Sequence, residues 1–209
     1  MEISFIWLTF DLSNQTNMKK LVIFIFLFVS AIVSAQTAEE IEMTVLVNKV
    51  RTNPTSLIPE VEKYITSVKK LNSMGGKMTY QSTGKSVNAI AEANALIAFL
   101  KKVKPLNALE LSLVLYPTTK AQATYLDSTN QLVHTDANGK SLAERTKSLG
   151  LVCGENCAFN TASATSTLVQ LLIDLGVADK GHRANIFNPN YKQISVAKVN
   201  NVWVQDFTY

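Results

Sequence analysis

Two histidines are all the chain has, and each stands beside turn-forming residues. His134 falls in Leu132-Val-His-Thr-Asp-Ala-Asn-Gly139, and His182 falls 48 residues later in Gly181-His-Arg-Ala-Asn-Ile-Phe-Asn-Pro189. Imidazole is the side chain most readily used as a proton carrier or metal ligand near neutral pH. Between the two comes Cys153-Gly-Glu-Asn-Cys157, which adds Glu155 and two thiols, while Asp174 and Asp179 precede His182. Neutral imidazoles and carboxylates suit zinc or another divalent first-row metal and leave positions open to water. The same groups could serve as acid and base. Hydrolysis needs in addition a placed nucleophile, or a bound water with an oxyanion-stabilising partner. Neither a Gly-x-Ser-x-Gly nor a His-Glu-x-x-His pattern is present, so no residue is assigned a catalytic role.

Composition narrows the setting. With 209 residues, 47% hydrophobic and 17% charged, the chain has the make-up of one globular domain. A net charge of +4, with no basic run interleaved with aromatics, gives no case for a nucleic-acid surface. Met18-Lys-Lys followed by the apolar run Leu21–Val33 and by Val33-Ser-Ala35 reads as a signal peptide over residues 18–35, cut before Gln36. The apolar run is short for a bilayer span, so no stable membrane span is expected after cleavage. Residues 1–17 read as an upstream extension ahead of true initiation at Met18. Removing 1–35 deletes Glu2, Asp11, Lys19 and Lys20 and leaves the net charge unchanged. Secretion is expected, or a periplasmic location in a Gram-negative source. Outside the cytoplasm thiols tend to oxidise, and a local Cys153–Cys157 bridge requires a Cα separation of about 4.4–6.8 Å. A turned or helical segment gives that separation and an extended strand does not; two free buried thiols are the alternative.

These residues need elements to hold them. Apolar spacing through Ile41, Val45, Leu46, Leu57, Val61, Ile65 and Val68 predicts two helices separated at Asn53-Pro54. Residues 71–85 read as a loop with a short strand at Met78–Tyr80. Further helices are predicted over 86–103, over 110–128 with Pro117 in the first turn, over 141–149 with a Ser141/Glu144 capping box, and over 163–175. Gln193–Val199 and Val202–Thr208 read as strands joined at Asn200-Asn201. Trp203 and Phe207 are expected in the core, and Arg183 in a structural pairing with an acid or a carbonyl. Helices on either side of short strands point to an α+β fold.

Four pieces in one order carry a resemblance: His134 after a helix, Gly154-Glu-Asn156, Gly181-His-Arg-Ala-Asn-Ile-Phe-Asn-Pro189 and Trp203-Val-Gln-Asp-Phe207. With Leu46-Val-Asn-Lys-Val-Arg-Thr-Asn-Pro54 as a first helix, the sequence over residues 40–209 resembles the CAP superfamily of cysteine-rich secretory, antigen 5 and pathogenesis-related class 1 proteins, also called SCP-like. The resemblance implies a three-layer α-β-α sandwich with a central cleft, placing the domain at 36–209. It implies a cleft set of His134, Glu155, His182 and a second acid, Asp174 or Asp179, with divalent metal held through His134 and His182 in some members. It also implies a ligand that is a lipid or sterol, a glycan or a protein. A Cys₂His₂ zinc site of Cys153, Cys157, His134 and His182 is disfavoured by export and by the resemblance. A hydrolase using the same cleft and an envelope adhesion module are the rival readings.

Overall fold

Asn53-Pro54 divides the N-terminal helical run as expected, because the residue before proline is pushed out of the α region; Asn53 sits at φ −140°, ψ 81°. Helix α1 spans Ala38–Thr52, a 3₁₀ turn covers Pro54–Leu57, and α2 spans Ile58–Ser73. The structure, a computed structural model, describes residues 36–76, 88–151, 153–159 and 163–209. The upstream extension, the signal peptide and the strand expected at Met78–Tyr80 lie outside those residues.

Helix α1 buries a different face from the one its largest aliphatics suggest. Ile41 and Val45 are exposed, while Met43, Val47 and Val50 are buried together with Glu40 and Arg51. The chosen face is the one whose polar groups find partners. Glu40 accepts hydrogen bonds from the Lys198 backbone N–H at 2.7 Å, Lys120 Nζ at 3.1 Å and the Tyr116 hydroxyl at 3.1 Å. Burial, and then the Glu40 carboxylate, push the Tyr116 phenol up to about 12, so it remains a donor. Arg51 donates to the carbonyls of Asn107, Ile186 and Asn188, and Asn48 clamps Leu109 through both its donor and its acceptor. A lysine carries one donor centre where the guanidinium presents a fork. Arg51→Lys is therefore expected to lower the unfolding free energy by about 1–3 kcal/mol in urea titrations.

The remaining elements among the described residues are α3 (Ala89–Leu100), β1 (Glu110–Leu111), α4 (Tyr116–Thr129), α5 (Leu142–Thr146), a 3₁₀ turn (Lys147–Leu149), β2 (Cys153–Phe159), α6 (Ala164–Ile173), α7 (Gly181–Ile186), β3 (Gln193–Val199) and β4 (Val202–Thr208). Strand order is β1-β3-β4-β2, with β1 parallel to β3 and the other pairs antiparallel. The helix expected over 110–128 starts later, at Tyr116. Glu110 and Leu111 instead pair with Gln193 and Ile194, and Pro117 lies in the first turn, where its missing N–H costs nothing. The Ser141/Glu144 capping box is present, and Asn200 takes up φ 46° in the β3–β4 turn.

β4 is buried along its whole length because helices cover both faces of the sheet. On one side α4 packs Tyr116, Ala123 and Leu126 against Cys157, Ala197, Val202 and Val204. On the other, α1, α2, α3, α6 and α7 surround Ile194, Val196, Trp203 and Phe207. Trp203 and Phe207 are 1% and 0% exposed, as their alternation in the sequence requires. The result is a three-layer α-β-α sandwich whose edge strand, β2, carries Gly154-Glu-Asn156.

Candidate functional site

Strand alternation sends Glu155 and Asn156 to opposite faces of β2, and each side chain organises one histidine. Glu155 lies on the α4 side, directly across from Asp206 of β4, whose Oδ2 accepts from the Thr119 hydroxyl at 2.8 Å. Its two oxygens are both engaged: His134 Nδ1 approaches Oε1 at 2.8 Å, and Arg145 Nη2 donates to Oε2 at 2.6 Å. Since a carboxylate only accepts, the proton of a neutral His134 is on Nδ1 and Nε2 is left as the acceptor. Hydrogen bonding to Glu155 raises the His134 imidazole above its ordinary value, with desolvation opposing. The His134 loop is fixed from below by Gln122, whose Nε2 donates to the carbonyls of Val133 and Thr135, and from the side by a bridge between Thr135 and Ser141.

On the other face Asn156 Nδ2 donates to the His182 carbonyl at 3.2 Å and to Gln205 Oε1 at 3.1 Å, while Asn185 Nδ2 donates back to Asn156 Oδ1. His182 belongs to α7, a short helix that the turn residues of Gly181-His-Arg conceal in the sequence. Its acid is Asp174. This residue caps α6 in the left-handed conformation, at φ 56°, and accepts from the His182 N–H, the Arg183 N–H and His182 Nδ1 at 3.0, 3.2 and 2.5 Å. Asp179, the alternative acid, is exposed and takes the Gly181 N–H. Arg183 donates to the carbonyls of Leu172 and Ile173 and stacks on Phe99, the structural role expected of it.

The cleft residues therefore form two histidine–carboxylate pairs, His134–Glu155 and His182–Asp174. Each is anchored to a different face of the same strand. Among the described residues, the donor atoms of His134, Glu155 and Cys157 all lie within 4.8 Å of one another, and no group of three such ligands that contains His182 is that close. Both histidines engage their acids through Nδ1. The local disulfide does not fit this arrangement. Cys157 is a free, buried thiol, and Cys153 and Cys157 belong to one extended strand. Four residues of strand rise about 13 Å, too far for a bridge that needs Cα atoms within about 7 Å.

Two further residues complete the cluster. Asp206 is completely buried, and desolvation together with Glu155 pushes its carboxyl up to about 8. Arg145 is 6% exposed at its side chain and reaches Glu155 from α5. An acid within the core strand Trp203-Val-Gln-Asp-Phe207 was the available signal for the first; nothing comparable pointed to the second.

Beside this cluster a groove of about 830 Å³ runs between α4 and the 136–148 segment. Thr118, Gln122 and Tyr125 line one wall, and Asp136, Lys140 and Arg145 line the other. Arg145 thus faces both the groove and Glu155.

Gly154 has a steric reason. A Cβ there would overlap the Tyr191 hydroxyl and come within 2.8 Å of Asn185 Oδ1. Gly154→Ala is expected to cost about 1–3 kcal/mol by overpacking. Adding Tyr191→Phe should restore part of the loss, as measured by paired urea unfolding curves.

The α-β-α sandwich with a histidine–acid cluster at its edge strand defines an SCP-type domain. The pattern of the cysteine-rich secretory protein family, CAP, matches residues 46–207, and the chain belongs to that family. A search of the curated proteins finds no match. Solved structures similar to it include an extracellular protein containing an SCP domain from Bacillus anthracis (18% identity, TM-score 0.44, 56% of this chain and 37% of that one). An outer surface protein of Borrelia burgdorferi is also similar (19%, 0.42, 49% and 78%), as is a cysteine-rich secretory protein of Staphylococcus aureus (13%, 0.38, 57% and 37%). The chain spans little more than a third of the Bacillus and Staphylococcus chains. Among the described residues no helix is long and apolar enough to cross a membrane.

Proposed function

We propose that this protein is an exported CAP-domain binding protein, not a hydrolase, which takes a polar ligand in the groove beside His134 and Glu155. The observation that carries the reading is the sharing of Arg145 between the groove wall and the Glu155 cluster, so that an occupant of the groove is adjacent to a fixed, buried charge pair. A lining rich in hydroxyl, amide and charged side chains, with Tyr125 as its aromatic surface, suits a glycan or peptide better than a sterol. Export follows from the signal peptide expected at residues 18–35. Against hydrolysis stands the bonding of the imidazoles: among the described residues, neither ring is hydrogen-bonded to a hydroxyl or thiol. Cys157 is buried, and desolvation holds its thiol well above the ordinary value, so it is a poor nucleophile.

The test is a binding panel of glycans, peptides and sterol-containing vesicles, run on the wild type and on Lys140→Glu and Tyr125→Ala variants. Polar-ligand binding that weakens in both variants is the expected outcome, and binding confined to the vesicles overturns the choice of ligand class. A parallel panel of peptide and ester substrates decides the reaction question. Turnover lost in His182→Ala would establish the hydrolase instead.

A further inference from the structure

We infer that the β1 edge of the sheet, together with the adjoining side of α1, is a dimerisation surface that takes a second copy of this chain about a twofold axis. This surface does not rest on the groove beside α4 having a ligand. β1 is the end strand in the order β1-β3-β4-β2, so among the described residues no strand pairs with its outer side. Glu110 and Ser112 turn their N–H groups inward, to the carbonyls of Lys192 and Ile194. Backbone groups alternate in direction along a strand, so the Leu111 N–H and carbonyl point outward. Further along β3 the edge is closed, because Glu40 takes the Lys198 N–H at 2.7 Å and Lys120 Nζ donates to the Lys198 carbonyl at 2.7 Å. The opening is confined to Leu111 and its neighbours.

Aliphatic side chains flank that opening. Leu111 is in register with Ile194, which packs in the core on the α1 side, so Leu111 shares α1's face of the sheet. Asn48 holds Leu109 and Glu40 holds Tyr116, so the 109–116 segment runs beside α1. Ile41, Val45 and Asn48 form one stripe of α1 by their i, i+4, i+7 spacing, and that stripe borders the segment. Ile41, Val45, Leu111, Leu113 and Val114 are 41 to 62% exposed. They leave on the order of 400 Å² of aliphatic surface per copy, close to the apolar share of a standard interface that buries about 800 Å² per partner.

The same features point to a second copy as the occupant. With a twofold axis through Leu111, each copy's outward N–H meets the other's carbonyl, and the two α1 helices lie antiparallel over the seam. Leu111 stands about 7 Å beyond Leu109 along the strand. α1 runs opposite to β3, from Glu40 at Lys198 to Asn48 at Leu109, so the same height on the helix lies about four residues before Asn48, at Val45. An antiparallel pair centred on Val45 sets Glu42 of one copy beside Lys49 of the other, because the two lie three and four residues to either side. Both are exposed, and neither has an ion-pair partner among the described residues. The strand register and the helix charges thus select one axis.

Sedimentation equilibrium of the purified protein is expected to show a monomer–dimer equilibrium. Val45→Glu, at an exposed position, should leave the unfolding curve unchanged and weaken the dimer at least tenfold, since it sets two carboxylates beside the axis. Glu42→Lys and Lys49→Glu should each weaken it roughly fivefold, and the double swap should restore it. Leu111→Cys checks the register, because on a twofold axis a residue meets its own copy, here at a Cα separation of about 5.5 Å that a disulfide can span. With Cys153 replaced by serine and Cys157 buried, mild oxidation should cross-link the dimer at Leu111→Cys and not at Val114→Cys, which lies off the axis. A protein that stays monomeric up to about 1 mM would overturn the proposal and leave the surface to a different partner. A dimer indifferent to Val45→Glu, a double swap that restores nothing, or no cross-link at Leu111→Cys would each overturn it as well.

Discussion

Arg145→Met is expected to remove about 3–5 kcal/mol of unfolding free energy, among the largest losses a single substitution in this domain should produce. The Arg145–Glu155 pair is 2.6 Å long, with side chains 6% and 3% exposed. Without the guanidinium, Glu155 is left desolvated opposite a second buried carboxyl group, Asp206. The cost arises from stranding a charge rather than from losing an attraction. Arg145 Nε and Nη1 have no partners of their own, so the intact pair already carries part of its desolvation penalty. Removing both charges in Arg145→Met/Glu155→Leu should therefore destabilise less than Arg145→Met alone. Urea unfolding of both variants tests this. A single-variant loss below about 1 kcal/mol, in the range of exposed pairs, would mean that water reaches the pair.

The parts of the fold that follow from local chemistry were legible. Asn53-Pro54, the Ser141/Glu144 box and the Asn200-Asn201 turn each act within a few residues, and the sequence reading of each matches the structure. The parts set by distant partners were not. Glu110 and Leu111 become strand because β3 offers Gln193 and Ile194, which nothing near residue 110 announces. β2 was hidden for a related reason: Gly154, Glu155 and Asn156 have poor strand propensity, and pairing with β4 overrides it. The buried face of α1 is not the one its aliphatic spacing suggests, because Glu40 and Arg51 look like surface residues until Lys198, Ile186 and Asn188 supply their bonds.

The site shows the same division. The motifs single out His134, Glu155 and His182 and leave Asp174 as one acid of two, and the structure pairs His134 with Glu155 and His182 with Asp174. What sequence could not reveal is that consecutive residues of one strand, Glu155 and Asn156, each hold one histidine segment, Glu155 through the His134 ring and Asn156 through the His182 carbonyl.

Asp206 should reveal itself in pH dependence. The folded protein holds this carboxyl at about 8, against an ordinary value of 3.8, chiefly through desolvation and then through Glu155, with Thr119 and Arg145 opposing. The native state therefore keeps a proton that the unfolded chain releases. Unfolding free energy should fall as pH rises from about 4 to about 8, and this contribution should be constant beyond. Glu155, Arg145, Cys157 and His134 are the titratable groups around it, and all remain in Asp206→Asn. The asparagine carbonyl can still accept from Thr119, while its amide offers Glu155 a hydrogen without ever ionising. Measured in chelator, the two proteins should have similar stability near pH 4 and separate steadily above it. The variant should be more stable by more than about 1 kcal/mol at pH 8, since each unit of pKa difference corresponds to about 1.4 kcal/mol. Parallel profiles across that range would mean that Asp206 is ionised in the fold and that Arg145 balances both acids.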